Sequence, residues 1–173
     1  MKNNRKISPR ILAAGFTAGI ALALAAYLYL YPTHFSEDAH LARSIGVSPR
    51  SYIESKRLWK EGVENKQPLS DSDFQSALSL LRYHIHQKGW AVRARAVEAL
   101  RASSGTHNES AAQTAVQGAL SDPSYVVRRQ ALISLWRLDP VAGHTAALKD
   151  ENDSSDAVRR TAYLLLNPNV PAK

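Results

Sequence analysis

Cysteine is absent from this 173-residue chain. Disulfides, thiolate nucleophiles and cysteine-based zinc or iron–sulfur sites are therefore excluded, while the compartment stays open. Acidic residues are missing from the first 32 positions, which carry Lys2, Arg5, Lys6 and Arg10. The formal charge of +7 is thus concentrated at the N-terminus, and the rest of the chain is close to balanced. That distribution argues against a nucleic-acid-binding surface.

Motifs of known catalytic sites are also missing. The sequence contains no G-x-S-x-G, no H-E-x-x-H and no glycine-rich phosphate loop. His84 and His86 are two residues apart, so on a helix they point to different faces and cannot share an ion. No histidine pair has the spacing of three or four, with a third ligand, that zinc requires. We therefore predict a protein that is not an enzyme, with no catalytic residues, no metal site and no cofactor.

One long uncharged segment is present, residues 11–31. As a helix it would extend over about 31 Å, the thickness of the hydrocarbon core of a bilayer. Tyr27, Tyr29 and Tyr31 lie at its C-terminal end, where amphipathic rings favour the membrane interface. Pro32 then ends the helix. The segment is predicted to be a transmembrane signal anchor in contact with the lipid bilayer.

The orientation of this anchor follows from the charges on its two sides. Basic groups lie within residues 1–10, and the first basic residue after the span is Arg43. The positive-inside rule places the N-terminus in the cytoplasm and the C-terminal domain outside it, as a single-pass protein of the cell membrane. The alternative is a signal peptide cleaved near Ala25, after the A-x-A segment 23–25, which would release a secreted soluble binding protein.

A nine-residue pattern, V-R-x-x-A-x-x-x-L, occurs three times in the C-terminal half. It covers Val92–Leu100, Val127–Leu135 and Val158–Leu166, at offsets of 35 and 31 residues. Positions i, i+4 and i+8 lie on one stripe of an α-helix, and a small alanine in the middle of the stripe permits a second helix to approach closely. The pattern predicts one buried helix in each of three repeated units.

Each unit also has an earlier helix with its own start signal. Ser70 resembles the N-cap of a capping box, and Gly89 suits the C′ position after the helix that follows. Asn108 is predicted to cap the earlier helix of the second unit. In the third unit Asp139 is predicted to be the cap and Pro140 the first helical residue. The fold class is therefore predicted to be all-α, with about three helical hairpins in residues 70–166 stacked as an α-solenoid.

The segments on either side of residues 70–166 complete the domain plan. Residues 32–69 are predicted to form connecting or capping helices that cover the first repeat, as terminal units require. One helix is expected to stop at Gly46, and a second to begin at Ser48-Pro49 and end at Gly62. Residues 167–173 form a C-terminal tail.

The turns between the repeated helices carry acids. Asp122-Pro123 precedes Val127-Arg128, and Asp153 or Asp156 precedes Val158-Arg159. In these residues the chain, from Ser70 to Leu166, resembles the HEAT-repeat family in its short, phycobilisome-lyase-type form. The first unit departs from the pattern, because residues 87–90 supply no acid.

The resemblance has implications for function. It implies a helical solenoid whose surfaces bind diverse partners. Another interpretation is an enzyme accessory of the bilin-lyase type, which rests on the repeat type alone.

Three arginines occupy equivalent positions of the repeat, Arg93, Arg128 and Arg159, and should align when the hairpins stack. Two interpretations are open. In the structural one, each arginine lies along the seam between units and bonds to a turn acid or a carbonyl. In the other, the arginines face an acidic partner, and Trp90, Tyr125 and Trp136 add aromatic binding anchors.

The sequence as a whole predicts a membrane-anchored scaffold or adaptor that mediates protein–protein interaction at the extracytoplasmic face. The expected partners are a protein and, through residues 11–31, the lipid bilayer. Gly15 and Gly19 have the G-x-x-x-G spacing that permits a weak homodimer of the anchor helix. Nucleic acid is not expected as a partner.

Overall fold

The computed structural model describes residues 37–83 and 88–169. These residues form eight α-helices and no β-strand. The helices are α1 (Glu37–Ser44), α2 (Pro49–Trp59), α3 (Asp71–Leu81), α4 (Trp90–Leu100), α5 (Glu109–Ala119), α6 (Tyr125–Leu138), α7 (Pro140–Asp150) and α8 (Asp156–Leu166). A π-helical turn, Lys60–Glu64, continues α2, and a 3-10 turn, Arg101–Ser103, continues α4. The predicted all-helical class is confirmed, and the architecture is compatible with an α-solenoid.

The helices pack as four consecutive pairs in two layers. Within each pair, α1 with α2, α3 with α4, α5 with α6 and α7 with α8, the two helices are in contact. The second helices also contact one another in sequence, α2 with α4, α4 with α6 and α6 with α8, and form a continuous inner layer. Short connections between contacting helices make the members of a pair antiparallel.

The segment predicted to cap the repeats contributes the first of these pairs. Helix α2 contacts α4, as α4 contacts α6. The described stack therefore contains four helical pairs, of which residues 70–166 supply the last three.

The end of α1 agrees with its prediction. The Val47 N–H donates to the Ala42 carbonyl at 2.9 Å, and the Gly46 N–H donates to the Arg43 carbonyl at 3.0 Å. Gly46 has a φ of +73°, the left-handed conformation that this type of helix end requires. The predicted stop at Gly46 is confirmed.

The predicted end of α2 at Gly62 is wrong, because Gly62 lies inside the π-helical turn. A Cβ atom at this position would be 2.8 Å from the Ala102 Cβ and 3.2 Å from the Ala99 carbonyl oxygen. The glycine is thus needed where the end of α2 approaches the end of α4, and it does not terminate the helix.

Two of the predicted N-caps are confirmed. The Ser70 hydroxyl accepts the Asp73 backbone N–H at 3.2 Å. The Asp139 carboxylate accepts the N–H groups of Val141 and Ala142, each at 3.0 Å. These bonds satisfy donors that the first turn of a helix leaves without partners.

Asn108 occupies the N-cap position of α5, as predicted, but its side chain makes no capping bond. Its amide donates instead to the Asp71 carboxylate at 2.9 Å. Another boundary prediction is wrong. Gly89 does not follow the earlier helix of its unit. That helix ends at Leu81, and Gly89 immediately precedes α4.

The repeated stripe lies in the core, as its spacing predicted. Its buried members are Val92, Ala96, Leu100, Val127, Ala131, Leu135, Val158 and Ala162. Leu166, the last stripe residue, is half-buried, since no described helix follows α8.

No helix in the described ranges is long and apolar enough to cross a membrane. The predicted anchor, with Gly15 and Gly19, lies outside the described residues, and so do residues 1–10, His84 and His86.

Candidate functional site

Arg93 on α4 is fully buried, with none of its surface exposed. Its Nε and Nη2 donate to the two oxygens of the Asp122 carboxylate at 2.8 and 2.9 Å. Its Nη1 donates to the Tyr83 carbonyl at 3.0 Å. A bidentate arginine–carboxylate pair of this kind fixes both side chains in one geometry.

Arg128 on α6 repeats this arrangement one unit later. Its Nε and Nη2 donate to the two oxygens of the Asp153 carboxylate, both at 2.8 Å. Its Nη1 donates to the Asp122 carbonyl at 3.0 Å. The pair is largely buried, with side chains 13% and 11% exposed. We call Arg93–Asp122 and Arg128–Asp153 the two complete rungs of an arginine–aspartate ladder.

Each rung joins an arginine of one unit to an acid of the next, and this offset bears on the missing acid of the first unit. Arg93 receives its carboxylate from Asp122, in the turn between α5 and α6. The residues before Arg93 therefore need no acid for the first rung to form. The acid that would serve Arg159 has to come from beyond α8.

Both ladder acids have the same local conformation. The Asp122 carboxylate accepts the Ser124 N–H at 2.8 Å, and the Asp153 carboxylate accepts the Ser155 N–H at 2.7 Å. These are Asx turns, which align the carboxylate at the start of the following helix. Each ladder acid is thus positioned by its own turn and bound by the arginine of the preceding unit.

The charges of the second rung shift the pKa values of its members. The bond to Arg128 lowers the pKa of the Asp153 carboxyl below its usual range. The same bond raises the pKa of Arg128. Asp150 lies near this rung, and burial, followed by the nearby Asp153 carboxylate, raises its pKa. Asp153 is therefore favoured as a carboxylate, while the charge on Asp150 is disfavoured.

Arg159 on α8 makes the equivalent contact to the segment before its own helix, and no described helix follows α8. Its Nη1 donates to the Asp153 carbonyl at 2.6 Å, which is equivalent to the bond from Arg128 Nη1 to Asp122. Its Nη2 contacts the carboxylate of Asp156 in the first turn of α8. That acid is 93% exposed and Arg159 is 40% exposed. Among the described residues, no acid of a further unit reaches Arg159.

A groove of about 500 Å³ lies beside Arg159, lined by Glu151, Asp156, Arg159, Arg160 and Tyr163. We call this surface the terminal face. Tyr163 is 47% exposed, whereas Val97 and Leu132, its equivalents in the two preceding units, are fully buried. The interior equivalents are covered by neighbouring helices, and the terminal face is not.

The predicted aromatic anchors lie in different surroundings. Trp90 and Tyr125 are the first residues of α4 and α6, and they are 44% and 50% exposed. Trp136 is half-buried and packs on a core cluster that includes Leu132. A Cβ atom at Gly143 would be 2.4 Å from the Trp136 Cα, so α6 and α7 approach closely at this point.

The structure therefore does not bring all six predicted site residues to one surface. Arg93 and Arg128 lie in the seams between units, Trp136 lies between α6 and α7, and Arg159 lies on the terminal face. Tyr163 belongs to that face and was missed. Its position in the repeat alignment, where the other two units have aliphatic residues, is the sequence signal that could have identified it.

Arg95, which is one position out of register with Arg129 and Arg160 in the repeat, contacts the preceding unit. Its guanidinium lies over the Tyr52 ring, 4.3 Å from the centroid, and its Nη2 donates to the Tyr52 hydroxyl at 3.0 Å. Arg129 instead donates to the Thr161 hydroxyl of the following unit at 3.1 Å. These arginines join successive inner helices.

The described residues contain no group of three histidine, aspartate or glutamate side chains placed to hold a metal ion. Comparisons with protein-family models, with curated proteins and with solved structures find no match to this chain.

Proposed function

We propose that this chain is a membrane-tethered helical-repeat scaffold that binds a protein partner through its terminal face and catalyses no reaction. The tether is the uncharged segment 11–31, and the helical stack is the extracytoplasmic domain. The observation that carries the proposal is the exposure of Tyr163, at a position that is fully buried in both preceding units. An aromatic side chain beside an arginine is a frequent anchor of protein interfaces.

The surroundings of the other arginines support this choice of surface. Arg93 and Arg128 are each bound to an acid of the same chain, so a partner would have to break a largely buried ion pair to reach them. The Arg159 side chain is 40% exposed, and its acid partner, Asp156, is itself 93% exposed. The terminal face is therefore the part of the ladder where a partner can bind at the lowest cost.

Tethering makes a small interface sufficient. A partner confined to the same membrane surface meets the stack at a raised effective concentration, so a weak contact becomes productive without additional buried area. Tyr163, Arg159 and Arg160 would provide such a contact.

The test is crosslinking in intact membranes, followed by recovery of the full-length chain through an N-terminal tag. Tyr163→Ala should abolish recovery of a crosslinked protein. Tyr125→Ala is the matched control, because it removes an equally exposed tyrosine from α6, and it should leave recovery unchanged. Equal recovery from the two variants would contradict the proposed surface.

The tether is tested separately. We expect the chain to keep its N-terminal segment and to stay with the membrane after alkaline extraction. A mature N-terminus just after Ala25, with the domain in the soluble fraction, would instead support a secreted binding protein.

A further inference from the structure

The two complete rungs define what an arginine at this repeat position binds. In each rung Nη1 bonds to a carbonyl of the chain segment before its own helix. In each, Nε and Nη2 together bind a carboxylate from the following unit. Arg159 makes the first of these contacts and lacks the second within the described residues. Its remaining contact, to the exposed Asp156, lies within its own helix.

The carboxylates of the two rungs also share a sequence form. Both belong to an Asp-x-Ser segment, Asp122-Pro123-Ser124 and Asp153-Ser154-Ser155. In both, the aspartate accepts the N–H of the serine and precedes a helix that packs on the helix of the arginine. The ladder therefore recognises an aspartate in a turn at the start of a helix.

The surface beside Arg159 lacks the cover that the preceding unit has. In the preceding unit, α7 and α8 cover Leu132, which is fully buried. On α8, Tyr163 takes the place of Leu132 and borders the groove of about 500 Å³. Arg159, which has no carboxylate from a following unit among the described residues, and the uncovered position of Tyr163 are thus adjacent, as Arg128 and Leu132 are in the second rung.

We infer that the terminal face binds an Asp-x-Ser turn, with the helix that follows it, from a different protein, so that this partner completes a third rung with Arg159. The inference rests on the proposed function and names the chemistry of the partner. We commit to a different protein and not to a second copy of the chain, because both rung aspartates are already bound within the stack. Asp139, another aspartate in a turn at a helix start, is the single residue between α6 and α7, and its carboxylate caps α7.

Arg159 can exchange one acid for another at low cost. Its pair with Asp156 is exposed and local, and such pairs contribute little to stability. A carboxylate that arrives with its own helix would be bound by two atoms of the guanidinium, in a site that becomes buried.

The first experiment tests whether the face accepts this element. The full-length chain, in detergent, is extended at its C-terminus by a flexible linker and a second copy of residues 139–169. We expect the added helices to be protected from hydrogen exchange. Asp153→Asn in the added copy, and Arg159→Gln in the original chain, should each lower the equilibrium constant for docking of the added unit about fivefold or more. The two changes together should lower it no further than one alone.

Unprotected added helices, or losses that add fully, would overturn the inference. The unextended Arg159→Gln variant serves as the control for stability. Its thermal midpoint should match that of the unchanged chain, so that a loss in the extended chain reports the contact and not the fold.

The second experiment uses the natural partner. A photo-crosslinking residue is placed at Glu151, which lines the groove, or at Val141, an exposed position of α7, in the membranes of the cells that make the protein. Capture from Glu151 of a segment with an Asp-x-Ser turn, lost in Arg159→Gln, is the expected result. Capture of another copy of this chain, or capture indifferent to Arg159, would overturn the inference. Capture from Val141 alone would overturn the inference of a third rung and still support a binding function. No capture from either position would contradict both the inference and the proposed function.

Discussion

The middle of the stack and its C-terminal end present the same arginine in opposite surroundings. Arg93 is fully buried and Arg128 nearly so, each with an acid from the next unit. Arg159 is 40% exposed and contacts an acid of its own helix. The repeated residue is buried where a following unit supplies its acid, and it is partly exposed on α8, where no described unit follows. The two interpretations of these arginines thus describe different positions, and position in the stack decides which applies.

The same contrast holds for the apolar surface. Val97 and Leu132 are covered, and Tyr163 at the equivalent position is not. Terminal units of a solenoid need an outer face that water tolerates. Tyrosine meets that need with its hydroxyl and still offers an aromatic surface to a partner.

The largest effect is expected in the middle of the stack. Arg93→Gln leaves the Asp122 carboxylate buried without its cation, and loss of one member of a buried pair costs about 3–5 kcal/mol. Urea denaturation of the full-length chain in detergent measures the free energy of unfolding. Arg128→Gln should cost less, because its pair is partly exposed.

A double variant provides the control. Replacing Arg93 and Asp122 together by leucine removes both charges and should recover part of the lost stability. If the double variant loses as much as the two single changes combined, the buried pair is not the source of the effect.

The second-largest effect is expected at Gly143, where α6 and α7 are in close contact, in comparison with Gly118, which has no close neighbour. Gly143→Ala would place a Cβ atom 2.4 Å from the Trp136 Cα, so α6 and α7 would have to move apart, at a cost of about 1–3 kcal/mol. Gly118→Ala is the matched change on α5, where nothing lies within 4 Å of the added atom. It should stabilise the protein by about 0.4–1 kcal/mol. Thermal unfolding of both variants checks the pair, and equal shifts would be evidence against the close approach.

The sequence predicted the inner helices well, because period, alanine position and turn chemistry all agree at V-R-x-x-A-x-x-x-L. It also predicted the caps at Ser70 and Asp139, where the signal is local. It failed at Gly62, because a glycine that ends a helix and one that permits close packing cannot be told apart in the sequence. It also failed at Gly89, which precedes α4 instead of following α3.

The ladder shows a different limit of sequence reasoning. The residues of both rungs were identified, but the offset between arginine and acid depends on how units stack, which a single unit does not specify. Arg95 and Tyr52 are 43 positions apart, and no periodicity connects them.

Low pH should weaken the second rung, because it protonates Asp153. The pKa of Asp153 is lowered in the folded state, so its contribution to stability is complete above the unfolded-state pKa, near 3.8, and is lost as the pH falls below it. Arg128→Gln removes the cause and should flatten this loss. Urea midpoints between about pH 5 and pH 3 measure the slope. An unchanged slope in the variant would contradict the assignment.

Asp150 should give stability the opposite pH dependence to that of Asp153. Its pKa is raised, so the folded state is favoured when this carboxyl is protonated, and that contribution is lost as the pH rises through the raised pKa. Asp150→Asn should therefore stabilise the protein at neutral pH and have less effect in acid. A destabilised variant at neutral pH would show that the carboxylate has a favourable contact.

The smallest effect is expected at the end of the stack. Arg159→Gln removes an exposed contact to Asp156, and surface substitutions of this kind change stability by no more than about 0.5 kcal/mol. The measurement is the same urea denaturation that is used for Arg128→Gln, so the two equivalent arginines are compared directly. A loss as large as that of Arg128→Gln would mean that Arg159 is already bound to a further element of its own chain. The third rung would then be complete, and no carboxylate site would remain for a partner.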